Sequence, residues 1–497
     1  MSDPSTSVSG RLESLVDVDL RPALRRRGAV VEVGDGVARV AGIDDIGAEE
    51  LVTFESGAVG MAYELAATGT GVVLLSNVQQ VKAGEGAQPL GRLPSTPVGL
   101  ELLGRVLDPL GRPLDDRPPP EGRQQPVFRE APSLTDRAPV EEPLHTGLMV
   151  VDSAIPIGRG QRQLVVGDRN VGKTALALDI VAAQRPGDVC CVYVVIGQPI
   201  SRVLAIGESL LKSGAIANTT VIAADAAASA GLQYLAPYAG MTIAEHFREL
   251  GRDALIVFDD LTKHADAYRE LALLLGRPPG REAFPGDIFY IHAELLERAT
   301  ALTAAAGGGS VTAFPIVETT DSDISAYIPT NLISITDGQI YLDTTRFERN
   351  VRPAVDIGRS VSRVGGVAQP PALRAAARSL RIAMSRFEAL EALTRVGLDV
   401  DPATRKTVER GRIMREVLRQ PRFAARSVAD QMIALTAIDR GWLDDVAPGK
   451  AAAAIWSAAA RLAAEQPELA TAVEANAAGA EWVERVHAYL EQHQEKA

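Results

Sequence analysis

The sequence is poor in cysteine and in aromatic residues, and it carries more acidic than basic side chains. Its 497 residues include only two cysteines, Cys190 and Cys191, which are adjacent in an apolar run. Because successive side chains of a strand point to opposite faces, these two form neither a disulfide framework nor a metal cluster, which fits a reducing cytosol. Aromatic residues make up 4% and the net charge is −12, so the composition argues against nucleic acid as a partner.

Long hydrophobic runs are also missing. The sequence has no window of about 18 or more apolar residues, and roughly the first 30 residues carry charges where a signal peptide needs an apolar block. The Ala-rich tract at 451–465 comes closest, but Arg461 and Glu465 interrupt it and Pro467 follows. This tract predicts a packing helix, and we expect the chain to be soluble by itself.

Changes in residue pattern divide the chain into four segments. An amphipathic arm is predicted for residues 1–27, where apolar residues recur at helical spacing before a basic cluster. Residues 28–94 alternate apolar and polar positions between glycine turns, which predicts a small β-barrel. Residues 95–370 alternate β-branched strands with helical stretches and predict an α/β domain with a mainly parallel sheet. Residues 371–497 predict a C-terminal α-helical bundle, so we expect a multi-domain α/β protein.

A phosphate-binding motif lies in the third segment. The stretch "GDRNVGKT" follows the apolar strand "QLVV" and opens the helix "TALALDIV", which is the context that the motif requires. In such a loop the backbone N–H groups surround the phosphates, Lys173 reaches the outer phosphates and the Thr174 hydroxyl ligates Mg²⁺. The sequence therefore predicts a P-loop, RecA-like nucleotide domain for ATP or ADP with Mg²⁺. The candidate binding residues are Gly167, Asp168, Arg169, Asn170, Val171, Gly172, Lys173 and Thr174.

Two other strands are predicted to end at polar residues. "LIVFDD" ends at Asp259 and Asp260, and we assign the carboxylate that orients Mg²⁺, from outside its direct ligands, to Asp259. Asp260 is expected to be a neighbour or a helix cap. "VVIGQPIS" places Gln198 where hydrolysis needs a group that positions or activates water. An amide cannot accept a proton as a carboxylate does, although some GTPases orient water with Gln, so Gln198 alone leaves hydrolysis open.

Longer blocks carry a resemblance to a known family. They include "VDSAIPIGRGQRQLVVGDRNVGKT", "LIVFDDLTKHADAYRELALLLGRPPGREAFPGDIFY", "AYIPTNLISITDGQIYLD" and "VRPAVDIGRSVSRVGG". In these blocks the chain closely resembles the alpha subunits of rotary, F-type ATP synthases. The likeness covers residues 25–420, and the C-terminal bundle matches more loosely.

The resemblance implies a division of labour between two kinds of subunit. In this family alpha and beta alternate in a ring of six, and the catalytic sites belong mainly to beta, which carries Glu where alpha has Gln. Gln198 then marks a non-catalytic site that holds Mg-nucleotide, and the isolated chain is expected to be inactive. The family brings the arginine of "SVSR", here Arg363, to the neighbouring catalytic site in trans, and it places Ser334 at this interface.

Further matches concern the nucleotide pocket and the partners. Arg352 and Gln420 match positions around the family's adenine pocket, whereas Asn170-Val171 and Arg422 depart from its usual residues and leave base preference open. Residues 276–287 match the segment that faces the rotating shaft. The resemblance implies beta, the gamma shaft and peripheral-stalk subunits as partners. It also implies contact with the cytoplasmic face of the bacterial membrane only through the complex.

Narrower and alternative interpretations stay open. The arm and the bundle diverge from the common bacterial pattern, which leaves open an alpha subunit of the alternate, N-type bacterial ATPases associated with sodium pumping. The coupling ion, proton or sodium, belongs to membrane subunits. The main alternative is a self-contained hexameric ATPase of the secretion-motor or termination-helicase type, which shares this core. The acidic, aromatic-poor composition opposes a helicase, and Gln198 opposes a secretion motor. A purely structural ring protein is the third hypothesis, which nucleotide binding would exclude.

Overall fold

The computed structural model describes residues 27–184, 188–395, 401–444, 446–474, 479 and 481–493. The chain forms two compact units, which meet in sequence between Arg92 and Leu93. The predicted amphipathic arm lies outside the described residues except for Arg27. Within the described ranges, no helix is long and apolar enough to cross a membrane. The domain limits expected after residues 94 and 370 stay predictions.

The first unit is a closed barrel of six antiparallel strands. Asp35 and Gly36 both have positive φ, of 48° and 89°, and they turn the first strand into the second. The period-two pattern buries one side of each strand, so that Val40, Val72 and Leu74 lie in the barrel core. The predicted barrel is confirmed, with the strand order β1-β2-β5-β4-β3-β6. The strands are β1 Gly28–Gly34, β2 Val37–Ala41, β3 Leu51–Phe54, β4 Val59–Ala66, β5 Gly69–Ser76 and β6 Gly86–Pro89.

The second unit is built around one large sheet. Its strands and the short strands beside it are β7 Ser95–Val98, β8 Val106–Leu107, β9 Arg123–Pro126, β10 Pro143–Leu144, β11 Ile157–Gly158, β12 Leu164–Asp168, β13 Val189–Ile196, β14 Thr219–Ala224, β15 Asp253–Asp259, β16 Ser310–Thr319, β17 Gly338–Leu342 and β18 Val361–Ser362. The eight-stranded sheet has the order β18-β17-β12-β16-β15-β13-β14-β8. All its neighbours are parallel except β17 and β18, which confirms the mainly parallel sheet.

Helices pack along this sheet, so its central strands are buried on both faces. Every residue of β13 is buried, as expected for a strand of continuous apolar character in a parallel sheet. The helices of this part are α1 Met149–Ala154, α2 Lys173–Ala182, α3 Ile200–Ser213, α4 Ala230–Glu249, α5 Leu261–Leu274, α6 Ile288–Glu297, α7 Tyr327–Ile335 and α8 Thr344–Glu348. The carboxyl ends of parallel strands form one edge, where such sheets bind their ligands.

The C-terminal part is helical, as predicted. Leu373, Leu380 and Phe387 are buried in one core cluster, although the apolar stripe runs through two helices because the first ends at Ala377. The Ala-rich tract forms a packing helix whose Ile455 is fully buried. The helices are α9 Pro371–Ala377, α10 Leu380–Arg395, α11 Pro402–Leu418, α12 Val428–Asp439, α13 Pro448–Glu465, α14 Pro467–Glu474 and α15 Glu481–Gln492.

Candidate nucleotide-binding site

The phosphate loop connects the end of β12 to the start of α2. Asn170 and Gly172 adopt positive φ angles of 64° and 102°, which bend the backbone back toward the helix. A Cβ on Gly167 would lie 2.7 Å from the carbonyl oxygen of Leu342, so the close packing of the neighbouring strand requires glycine there. The predicted strand, loop and helix are all present. The loop can therefore present backbone N–H groups to an anion.

Lys173 is held inside the loop by backbone oxygens. Its Nζ donates to the carbonyl of Gly167 at 2.9 Å and to that of Asp168 at 2.6 Å. Burial lowers the pKa of Lys173, whereas the carboxylate of Glu318, 3.7 Å away, favours the charged form. The ammonium is thus positioned where phosphate oxygens could replace the two carbonyls.

Asp168 does not line the cavity but holds the loop in place through hydrogen bonds to neighbouring segments. Its carboxylate accepts hydrogen bonds from Thr319 Oγ1 at 2.6 Å, from the N–H and Oγ of Ser322, both at 2.8 Å, and from Thr344 Oγ1 at 3.0 Å. Burial alone would raise the pKa of Asp168, but these donors lower it below its ordinary value. The side chain therefore ties the loop to the ends of β16 and α8.

Other loop side chains are also directed to separate tasks. Val171 is buried in the apolar core, while Arg169 is exposed and reaches the Glu318 carboxylate at 3.4 Å. Of the eight motif residues, those that line the adjoining cavity are Asn170, Gly172, Lys173 and Thr174. The sequence pattern thus located the loop. In the structure some of its residues line the cavity, and the others hold the loop in place.

Thr174 and Asp259 meet at the carboxyl edge of the sheet, as the sequence predicts. Thr174 Oγ1 donates to Asp259 Oδ2 at 2.7 Å, and the buried hydroxyl of Tyr193 donates to the same oxygen at 2.9 Å. Burial raises the pKa of Asp259, and these two hydrogen bonds oppose that rise. Such oxygen donors suit Mg²⁺. Among the described residues, no group of three or more His, Cys, Asp or Glu could hold a metal ion.

Gln198 lies beside this pair and contacts Asp260. Its Nε2 donates to Asp260 Oδ2 at 3.1 Å, and only 9% of the residue is exposed. Asp260 also caps α5, because its side chain accepts from the N–H of Lys263 at 2.9 Å. Burial and the neighbouring Asp259 charge raise the pKa of Asp260 to about 7. The expected capping role of Asp260 is confirmed, and Gln198 is a fixed part of the cavity wall.

A cavity of about 400 Å³ opens in front of the loop. Besides the loop residues, Gln198 and Asp259, its wall includes Arg202, Glu318 and Arg422. Arg202 Nη2 donates to Thr174 Oγ1 at 2.8 Å, and the Arg422 guanidinium lies 4.6 Å from the centre of the Phe423 ring. The cavity therefore combines cationic side chains with a few carboxylates, a composition suited to a polyanionic ligand with a bound cation.

Arg352 and Gln420 lie together next to the loop but outside the cavity wall. The N–H of Gln420 donates to the carbonyl of Arg352 at 2.8 Å. Arg352 covers the Phe347 ring at 3.6 Å, and a Cβ on Gly172 would touch that ring at 3.8 Å. The Gln420 side chain donates to the carbonyl of Gly147 at 2.6 Å and accepts from a backbone N–H. Both residues therefore lie beside the loop, and their role at the adenine pocket stays a prediction.

Arg363 and Ser334 lie away from the loop. The N–H of Arg363 donates to the carbonyl of Asp337, at the amino end of β17, whereas Leu342 at its carboxyl end is level with Gly167. At a rise of about 3.3 Å per residue, Asp337 and Leu342 are separated by roughly 17 Å along the sheet. Arg363 is exposed, and so is Ser334, which precedes Asp337 near the end of α7. The structure therefore does not bring Arg363 to the phosphate loop of its own chain.

Three family models together match most of the chain. The model described as the ATP synthase alpha/beta family, beta-barrel domain, matches residues 24–91, and the nucleotide-binding domain of that family matches residues 147–362. The model for the ATP synthase alpha/beta chain, C terminal domain, matches residues 369–493. The chain belongs to the ATP synthase alpha/beta family.

Relatives that match most of the chain include alpha subunits of ATP synthase. ATP synthase subunit alpha of Caldanaerobacter subterraneus subsp. tengcongensis is 48% identical over 435 residues, which cover 87% of this chain and 86% of that protein. ATP synthase subunit alpha 2 of Albidiferax ferrireducens is 52% identical over 85% of this chain and 80% of its own length. ATP synthase subunit alpha 1 of Rhodopirellula baltica is 51% identical over 84% of this chain and 83% of its own length. The predicted resemblance is confirmed.

Three residues of this alpha/beta-family site were not singled out from the sequence. Tyr193 is buried within β13, and a buried phenol needs a hydrogen-bond partner, which was an available signal. Glu318 is the penultimate residue of β16, at the carboxyl edge of the sheet, so it could have been grouped with Asp259. Arg202 carries no such signal, since its contact depends on how α3 packs over the loop.

Proposed function

We propose that this chain is the non-catalytic, nucleotide-binding alpha subunit in the soluble sector of an ion-translocating rotary ATP synthase. The observation that carries the proposal is a complete phosphate-binding site whose expected catalytic position holds the neutral amide of Gln198. The curated relatives, which are named as alpha subunits of ATP synthase, support the same role. The isolated chain would then bind nucleotide without turning it over.

The chain's own site would hold ATP or ADP through the phosphate loop. Backbone N–H groups of residues 167–174 and the ammonium of Lys173 would bind the phosphates. Mg²⁺, when bound, would neutralise phosphate charge, with the hydroxyl of Thr174 as its protein ligand and Asp259 hydrogen-bonded to that hydroxyl. Arg352 and Gln420 would support the adenine side. Arg422 would add a cation at the wall, so base preference is set by residues of this chain that depart from the usual pattern.

Gln198 would keep this site from hydrolysing its nucleotide. A general base must accept a proton from the attacking water, and an amide has no such capacity near neutral pH. Its Nε2 is moreover committed to Asp260, 3.1 Å away. The proposal therefore assigns the site to binding and regulation.

Arg363 would act in the catalytic site of an adjacent beta subunit. The roughly 17 Å between its level in the sheet and that of the phosphate loop makes a role in its own site difficult. As an arginine finger supplied in trans, it would stabilise transition-state charge, a contribution worth ~10³ to 10⁵ in rate. Ser334, exposed at the same end of the sheet, would belong to this interface.

The proposed assembly has three alpha and three beta subunits in alternation around a gamma shaft, with peripheral-stalk subunits outside. It would be a peripheral complex at the cytoplasmic face of the bacterial membrane, without nucleic acid. The N-type assignment stays a prediction from sequence divergence. The coupling ion, proton or sodium, and the net direction, synthesis or hydrolysis, are properties of the complex.

Calorimetric titration of the purified chain with ATP and Mg²⁺ tests the proposal. We expect one binding site and no turnover, with turnover appearing only after reconstitution with a beta partner. Lys173→Ala should weaken binding on the order of 100-fold, since a charge-assisted contact is worth about 3 kcal/mol. Turnover by the isolated chain that Lys173→Ala abolishes would instead support the self-contained hexameric ATPase. No binding at all would leave only the structural ring protein.

A further inference from the structure

Arg202 contacts the hydroxyl of Thr174, the group that is expected to ligate Mg²⁺. It stands in the first turn of α3, and its Nη2 donates to Thr174 Oγ1 at 2.8 Å. The same hydroxyl donates its proton to Asp259 at 2.7 Å. One of the two lone pairs of the Thr174 oxygen is therefore occupied by a guanidinium rather than left for a metal.

The guanidinium of Arg202 also supplies a positive charge near the buried carboxylate of Asp259. Asp259 is 2% exposed, and a buried carboxylate is costly without a nearby cation or several donors. Tyr193 and Thr174 provide the two donors, and the positive charge of Arg202 lowers the pKa that burial raises. Residues of the chain itself therefore stabilise the negative charge of the buried Asp259 carboxylate.

A metal at the Thr174 hydroxyl would meet the Arg202 cation at short range. Like charges repel, and the repulsion doubles for a divalent ion. The Arg202 side chain is exposed, so it can turn from the hydroxyl toward phosphate oxygens without unpacking α3, whose buried face carries Val203, Ile206 and Leu210. A planar guanidinium suits phosphate oxygens well. Lys173 and Arg422 line the same cavity, so protein cations can neutralise much of a triphosphate.

We propose that Arg202 competes with Mg²⁺ for Thr174 and makes nucleotide binding at this loop only weakly dependent on Mg²⁺. This inference rests on the proposed function, because it concerns how the same site selects between free and magnesium-bound nucleotide. It assigns Arg202 as the residue that sets this preference.

The test measures the dissociation constant of ATP by calorimetry, with excess Mg²⁺ and with EDTA, on the full chain. For the unaltered chain we expect the two values to agree within about threefold, and for Arg202→Ala we expect a difference of about tenfold or more in favour of Mg²⁺. Arg422→Ala is the matched control, since it removes a cation from the same cavity that stacks on Phe423. It should weaken both affinities by the same factor.

A second readout follows the metal directly. Mn²⁺ titrated in the presence of ADP, followed by electron paramagnetic resonance, should bind more tightly to Arg202→Ala than to the unaltered chain. Arg202→Gln, which keeps a donor without the charge, should behave like Arg202→Ala. If removal of Mg²⁺ lowers the ATP affinity of the unaltered chain and of Arg202→Ala by the same factor, the inference is overturned, whereas the proposal that the chain binds nucleotide still holds. If neither binds ATP in either condition, the proposed function fails with it.

Discussion

The N–H of Arg363 donates to the carbonyl oxygen of Asp337 at 2.9 Å. Asp337 is itself fixed by Arg162, whose guanidinium donates to its two carboxylate oxygens at 2.9 and 3.0 Å. The backbone of Arg363 is therefore held at the amino end of β17, while its side chain is exposed. An arginine with an anchored backbone and an exposed guanidinium is suited to act on a neighbouring subunit.

We expect Arg363→Ala to lower the ATP turnover of a complex reconstituted with a beta partner by ~10³-fold or more, because transition-state charge loses its counterion. ATP affinity at the chain's own loop should stay the same, since Arg363 lies at the other end of β17. Steady-state hydrolysis by the complex and calorimetry on the isolated chain measure the two effects.

Arg359→Ala serves as the matched control for this experiment. Arg359 is exposed in the same segment, and its guanidinium lies over the Tyr341 ring at 3.7 Å. Its loss should change turnover by less than about threefold. Equal losses for the two variants would show that the charge of the segment, and not Arg363 itself, matters.

Gln198→Glu should destabilise the chain without making it an ATPase. The new carboxylate would replace an amide that donates to Asp260 at 3.1 Å, so two acids would meet in a buried corner. We expect a loss of about 2 to 4 kcal/mol in the free energy of unfolding, measured by chemical denaturation at pH 8.

Asp260→Asn in the Gln198→Glu background provides the control, because it restores a donor opposite the new carboxylate. Most of the lost stability should return in the double variant. Hydrolysis by the isolated Gln198→Glu chain at a rate comparable to that of the reconstituted complex would refute the assignment of catalysis to the neighbouring subunit.

The sequence predicts those parts of the site that local pattern determines. The motif at Gly167–Thr174 is flanked by the strand and the helix that it requires, and Asp259 ends an apolar run that indicates a strand. Parallel strands end at a common edge, so the sequence places Thr174 and Asp259 at the same edge of the sheet, where the structure joins them by a hydrogen bond. The barrel, the parallel sheet and the helical C-terminal part were predictable because the local pattern of apolar and polar residues determines them.

Other contacts between distant segments were not predictable. Asp168 belongs to the motif, yet its carboxylate holds Thr319, Ser322 and Thr344, which no spacing rule connects to it. The contact of Arg202 with Thr174 depends on the orientation of α3, which its packing on the sheet fixes. Propensity and periodicity describe one element at a time, whereas these contacts arise from how elements pack.

Asp168→Ala should release the phosphate loop and lower stability. The variant removes the acceptor of four hydrogen bonds, and we expect a loss of about 2 to 4 kcal/mol at pH 7 together with weaker ATP binding. Chemical denaturation and calorimetry measure the two effects. Asp168→Asn, which keeps one acceptor oxygen, should lose less.

The same variant has a defined pH dependence. The folded-state pKa of Asp168 lies below its ordinary value of 3.8, because donors that favour the carboxylate outweigh the effect of burial. Its contribution is therefore present above the unfolded pKa and lost as pH falls through the folded one. The stability gap between the unaltered chain and Asp168→Ala should narrow below about pH 4. A gap independent of pH would mean that the carboxylate charge contributes nothing.

His264 and His292 should make the fold sensitive to moderate acid. His264 Nδ1 and His292 Nε2 are 3.5 Å apart in the core, and His264 stacks on Tyr234 with ring centres 5.4 Å apart. Burial lowers the pKa of His264 to about 4 and that of His292 well below its ordinary value. Both rings are neutral in the folded chain at pH 6, whereas the unfolded chain takes up protons below about 6.5. Stability should therefore fall as pH drops from 6.5 toward 4.

Replacing the pair by apolar residues tests this dependence. In His264→Phe/His292→Leu, the aromatic ring keeps its stacking on Tyr234, and these two positions no longer take up protons on unfolding. The decrease in Tm between pH 6.5 and 4.5 should become shallower than in the unaltered chain, whatever the change in Tm at pH 7. An equally steep decrease in the double variant would place the acid sensitivity elsewhere in the chain.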